Sequence, residues 1–167
     1  MKSIVNYIAI ITLALLTLPT LVCADGYMYW DDDFAQIELP NISSQSQTPQ
    51  SSATVTLYLS GNAQITADDT TAAQLSCATD TLVTEYKLTF DSAGGTTGVG
   101  TGGDGGTEWQ SYDTFLKTGT EGDVTYVADD NDVQVTLWVK ASNNADEVAD
   151  SDTYNATQTL TISWVGP

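Results

Sequence analysis

Carboxylates are the reactive side chains that this sequence supplies in quantity. There are 22 Asp and Glu against 4 basic residues, with no His, for a net charge of −18. The basic residues are all lysines (Lys2, Lys87, Lys117, Lys140), so Arg is absent as well. Hard oxygen donors in this abundance suit calcium. The clusters that could supply ligands are Asp31-Asp32-Asp33, then Asp129, Asp130 and Asp132, then Asp146 and Glu147 with Asp150 and Asp152. None has the spacing of an EF-hand loop, and solvated acid on a secreted surface is the plainer use of such residues. Calcium is the one cofactor the composition suits, and the default expectation is none.

Catalysis finds little support. Two carboxylates can cleave glycosides, but no spacing singles out a pair. Without His, a Ser or Cys nucleophile lacks its usual base, and there is no G-x-S-x-G elbow. The chain is therefore expected not to be an enzyme. Nucleic acid and anionic membrane surfaces both demand a basic patch that is missing here. Gly98-Val99-Gly100-Thr101-Gly102-Gly103 matches G-x-G-x-x-G, but further glycines and Asp104 follow where a dinucleotide site needs a helix start. The match is expected from the composition of the tract 92–107, which predicts an exposed, mobile loop.

Aromatic residues offer a binding chemistry instead. Trp138 falls in an outward slot of its strand, and with Trp30, Tyr29 or Trp109 it would form a stacking platform for sugars. The competing reading is a tryptophan covered by a neighbouring loop or chain.

The elements that must carry these residues are strands. Val133, Val135, Leu137 and Val139 alternate with Gln134, Thr136, Trp138 and Lys140. The same period of two runs through 53–59, 84–90 and 160–164, with shorter candidates at 63–66 and 124–127. Threonine fills the outward slots, which suits a sheet with one wet face. A single helical turn is expected near 109–116. Several short antiparallel strands predict an all-β, immunoglobulin-like sandwich over 53–167.

Upstream of it, residues 25–42 form a separate small unit. Phe34-Ala35-Gln36-Ile37-Glu38-Leu39 reads as a strand with Ala35, Ile37 and Leu39 on one side. Residues 43–52 (SSQSQTPQSS) hold no apolar side chain and read as a flexible linker. Residues 1–24 read as a signal peptide: Lys2, an apolar run from Ile8 to Leu18, then Val22-Cys23-Ala24 before a cleavage point at Asp25. The apolar run is short of the roughly 20 residues a membrane span needs. Val22 is bulky for lipoprotein processing at Cys23. The expected location is secreted, extracellular or at the cell surface, with no membrane insertion after cleavage. Cys77 is then a lone cysteine, expected to be buried or paired between chains.

The C-terminal third is similar to a known class of proteins. Val133-Gln134-Val135-Thr136-Leu137-Trp138-Val139, then Asp152-Thr153-Tyr154, then the closing TQTLTISW of 157–164 resemble the end of spore-coat-U-type secreted domains. That family includes the archaic chaperone–usher pilins. The resemblance implies a sandwich lacking its last strand and completed by strand exchange, with self-association into fibres and a periplasmic chaperone as partner. Phe34, Ile37, Leu39 and Ile42 would then be the donor side chains. The segment could equally pair in cis and complete its own sandwich. The expected function is an exported structural subunit of a pilus, fibre or cell-surface matrix. The alternative is a monomeric carbohydrate-binding module using Trp138 and Trp30, with calcium as an optional aid.

Overall fold

Alternating side chains produce two sheets whose apolar faces meet. The computed structural model describes residues 26–166 apart from 92–96, 101–102, 105–106, 118, 129 and 146–147. The signal segment 1–24 therefore lies outside the described residues. The strands are β1 (Met28–Trp30), β2 (Gln50–Leu59), β3 (Asn62–Ala67), β4 (Val83–Phe90), β5 (Thr97–Gly100), β6 (Gly103–Asp104), β7 (Gln110–Ser111), β8 (Gly122–Thr125), β9 (Asp132–Ser142) and β10 (Leu160–Gly166). One sheet has the order β1-β2-β9-β4-β7 and the other β10-β3-β8-β5-β6. Every pairing is antiparallel. This is an all-β sandwich.

β9 is the spine of the first sheet. It pairs with β2 from Gln50↔Lys140 to Tyr58↔Asp132, and with β4 from Val83↔Ser142 to Phe90↔Val135. Val133, Val135, Leu137, Val139 and Ala141 point into the core with Leu57, Leu59, Tyr86 and Leu88. The outward slots are polar, and the Thr54 and Thr136 hydroxyls meet across the strands at 2.7 Å. Each fully buried Leu, Ile or Val contributes about 1.5–3 kcal/mol, so the pleat alone specifies which face turns inward. The expected helical turn is a single one, in which the Phe115 N–H donates to the Ser111 carbonyl. It buries Phe115 and Leu116.

Three local expectations need correction. The tract expected as a mobile loop contains β5, which pairs with β8 at Thr97↔Thr125, Gly98↔Val124 and Val99↔Asp123. One of its glycines serves close packing. Gly98 is buried, and a Cβ there would stand 2.2 Å from the Phe90 ring. The supposed linker also has structure. Gln50–Ser52 belong to β2, and backbone carbonyls of 43–49 are tied to the end of β9 and the residues just after it. There the Ala141 N–H donates to the Pro49 carbonyl at 3.1 Å, and the Asn143 side-chain amide to the Ser44 carbonyl at 3.3 Å. Finally, residues 34–39 are not a strand, for a reason given below.

Candidate functional site

β1 enters as an edge strand, pairing Met28↔Leu59, Tyr29↔Tyr58 and Trp30↔Leu57. The Asp31 N–H donates to the Thr56 carbonyl (2.9 Å), and the Thr56 N–H donates back to the Asp31 carboxylate (2.8 Å). There the ladder stops. Among the described residues, no backbone-to-backbone hydrogen bond ties 32–42 to any strand. Yet Phe34, Ile37, Leu39 and Ile42 are all buried, and they join the same core cluster as the strands. Ala35 is exposed. The buried positions 34, 37, 39 and 42 skip two residues twice, which a flat strand cannot do; the chain twists to insert each large side chain. All four candidate donor residues thus fill the sandwich of their own chain.

The proposed tryptophan platform does not assemble. Trp30 is buried, its ring 5.9 Å from that of Phe34. Trp138 stands on the opposite, outward face of the first sheet, half-buried, with its indole N–H donating to the Thr89 hydroxyl at 3.0 Å. A sheet separates the two rings, because odd and even strand positions face opposite sides. Trp109 does share the end of Trp138. It lies 4.7 Å beneath the Lys140 ammonium, which also pairs with Glu85 at 2.8 Å.

The acidic clusters are dispersed. Asp129 and Asp146 lie outside the described residues. Asp130 sits in the bridge with Val127, Asp132 starts β9 opposite Tyr58, and Asp150 accepts from the Thr79 hydroxyl at 3.2 Å. Among the described residues, no three His, Cys, Asp or Glu side chains converge on a metal position. Asp31, Asp32 and Asp33 border an open cleft of about 410 Å³ with Thr54, Thr56 and Gln134.

Asp150 instead belongs to a polar knot around Tyr154. The buried Tyr154 hydroxyl donates to the Asp150 carbonyl (3.1 Å) and lies 3.3 Å from the Asp80 carboxylate. Burial, the neighbouring Cys77 and the Asp80 charge hold its ionisation well above the ordinary tyrosine range. Cys77 is half-buried and free. Partial burial pushes its thiol up, but hydrogen bonds from the Thr79 backbone and hydroxyl, the Tyr154 hydroxyl and the Asp80 backbone outweigh this and leave it below the usual value.

Tyr27, Tyr29 and Tyr58 form a second aromatic group, of which only Tyr29 stands among the sequence candidates. Tyr27 and Tyr29 are exposed, and their rings are 6.0 Å apart. Tyr29 stacks on the cross-strand Tyr58 at 5.3 Å. The exposed Trp164 lies over Gly26 and Gly61, at the turn between β2 and β3. The i, i+2 spacing of Tyr27 and Tyr29 was the available signal. Their partner Tyr58 comes from a separate strand, so no local window contained the group.

No protein-family model matches the chain, and no curated protein matches it either.

Proposed function

We propose that the chain is an exported structural subunit of a pilus, fibre or cell-surface matrix, and that its N-terminal segment exchanges between subunits. The observation that carries this reading is the way 32–42 is held. Its four apolar side chains are in the core, while its backbone makes no ladder among the described residues. The same segment from a second chain would bury the same four side chains. Exchange would break no strand pairing beyond β1. The cis and trans forms then differ little in contact energy, and local concentration or a periplasmic chaperone decides between them. Residues 43–49 are the joint about which the segment would leave. The signal segment 1–24 and the resemblance to spore-coat-U-type domains support export and assembly.

A reversible lock tests the idea. Asp31 and Thr56 are hydrogen-bonded neighbours, at a separation a disulfide accepts. Asp31→Cys with Thr56→Cys, in a Cys77→Ser background, would tie one end of the segment while β2 holds the other. In the mature chain 25–167, light scattering and negative-stain microscopy should show fibres or ladders that grow with concentration. The oxidised lock should stay monomeric and folded, and reduction should restore assembly. Fibres from the fully oxidised, folded chain would refute strand exchange.

A further inference from the structure

Among the described residues, the two sheets end in the edge strands β1, β7, β10 and β6. The first, second and last of these are guarded. β1, β7 and β6 are three, two and two residues long. Each has acid on or beside it: Asp31, Asp32 and Asp33 directly after β1, Glu108 and Asp113 around β7, and Asp104 within β6. Short length and charge are the usual means of keeping an edge from pairing with another chain. β10 has neither. It is seven residues long, and no charged side chain occurs from Thr153 to Gly166, in a chain of net charge −18. The register shows which of its backbone groups are free. β10 pairs with β3 from Leu160↔Ala67 to Gly166↔Asn62, and the Asp68 N–H extends that ladder by donating to the Thr159 carbonyl at 2.9 Å. Antiparallel bonds alternate along a strand. Thr159, Thr161 and Ser163 therefore turn their backbone groups toward β3, while Leu160, Ile162 and Trp164 turn theirs toward the edge. Among the described residues, no backbone hydrogen bond from outside the sheet reaches these three. Thr161, Ser163, Trp164 and Val165 are exposed, so the strand is open to solvent.

We propose that β10 pairs edge to edge with β10 of a second copy of this chain, antiparallel about a two-fold axis at Ile162, so that the two β10-bearing sheets become one. Self-complementarity selects this occupant. In that register Ile162 meets the partner's Ile162, Leu160 meets the partner's Trp164, and Thr161 meets the partner's Ser163. The backbone groups of Leu160, Ile162 and Trp164 then form the ladder. Apolar side chains oppose apolar ones on one face, and hydroxyls oppose hydroxyls on the other. The contact is isologous and closed, unlike the head-to-tail exchange of 32–42. The paired strands set no charge opposite another, which no other edge of this acidic chain allows. The contact is also small. A single short strand falls at the low end of interface areas, so isolated chains pair weakly and reversibly. Neither β1 nor 32–42 takes part, so the pairing does not depend on strand exchange.

Sedimentation equilibrium of the oxidised Asp31→Cys, Thr56→Cys, Cys77→Ser chain 25–167 tests this, because the lock holds strand exchange apart. At physiological salt, which screens the net charge, a monomer at micromolar concentration should give way to a dimer at millimolar concentration. Thr161→Glu with Ser163→Glu sets like charges opposite each other at exposed sites and should weaken the dimer about tenfold or more. Thr161→Lys with Ser163→Lys should weaken it too, although it lowers the net charge. Thr161→Lys with Ser163→Glu sets Lys opposite Glu across the same pairs and should recover the dimer. Circular dichroism confirms that the variants are folded. Absence of a dimer at millimolar concentration overturns the proposal. So does a dimer that the paired like charges leave intact, or one that the Lys and Glu combination fails to recover. Fibres from the locked chain would count against strand exchange, and the same charge pairs would still decide the edge contact.

Discussion

The segment 32–42 and strand β10 are opposite solutions to attaching a chain to a sandwich. β10 is paired with β3 from Leu160↔Ala67 to Gly166↔Asn62, but Thr161, Ser163, Trp164 and Val165 remain exposed. The segment 32–42 has no ladder among the described residues, yet Phe34, Ile37, Leu39 and Ile42 are buried. Backbone pairing and side-chain burial are therefore separable terms. Pairing sets register, so β10 presents Trp164 and Val165 at defined places on the surface. Burial sets affinity without register, so 32–42 acts as a plug whose exposed positions, such as Ala35, Gln36 and Glu38, keep its backbone near water.

The sharpest break in this contrast comes from charge placed in each element. Ile37→Asp puts an unpaired carboxylate at a site 1% exposed and should cost more than about 4 kcal/mol, abolishing cooperative urea unfolding. Val165→Asp, at a site 56% exposed, should change stability by no more than about 0.5 kcal/mol. If the two variants unfold at similar urea concentrations, the segment is not held by burial. The milder Ile37→Ala should cost about 2–5 kcal/mol and still show a measurable midpoint.

Next in size is Gly61→Ala. Its Cβ would press on the Trp164 ring at 2.4 Å and on the Gly166 carbonyl at 2.8 Å. A loss of about 1–3 kcal/mol is expected by thermal or urea unfolding. Adding Trp164→Ala should recover only part of it, because the carbonyl contact remains. Full recovery would mean that the ladder end of β10 is softer than its register implies. Asp31→Ala, which removes the acceptor for the Thr56 N–H at the last rung before the plug, should cost about 1 kcal/mol in the same assay.

The smallest effect at neutral pH concerns the core against which the plug sits. The buried Tyr86 hydroxyl donates to the Ala73 carbonyl at 2.7 Å. Burial, aided by the Asp68 charge, raises its ionisation far above the ordinary value. The unfolded chain releases this proton near pH 10 and the folded chain does not, so stability is whole below about pH 10 and falls as pH rises above it. Urea midpoints measured from pH 7 to 11 should stay level and then decline, with a weaker decline in Tyr86→Phe.

Much of the fold was legible because a strand carries its own instruction in a period of two. β4, β9 and most of β10 lie where Thr84 to Phe90, Val133 to Val139 and Leu160 to Trp164 placed them. β5 was hidden, since glycines that admit the Phe90 ring look the same in sequence as glycines of a loop. The platform of Trp30 and Trp138 failed because each was judged on its own strand, without the sheet that stands between them. The four apolar residues of 34–42 are buried together, but their spacing suits a twisted plug better than the strand expected over 34–39.

By itself the sequence determined the all-β class, the inward and outward faces of the long strands, the acidic surface without arginine or histidine, and an apolar set at 34–42 that must be buried somewhere. These follow from local periodicity and composition, which do not depend on what lies across the molecule. Only the tertiary structure decided that this set enters the core without a backbone ladder, that Trp30 and Trp138 face opposite ways, that Tyr29 stacks on Tyr58, and that Trp164 lies over Gly26 and Gly61. Each of those outcomes is a contact between elements distant along the chain. Its energy exists only once β1, β2, β3 and β10 have been brought together, and no window of sequence contains it.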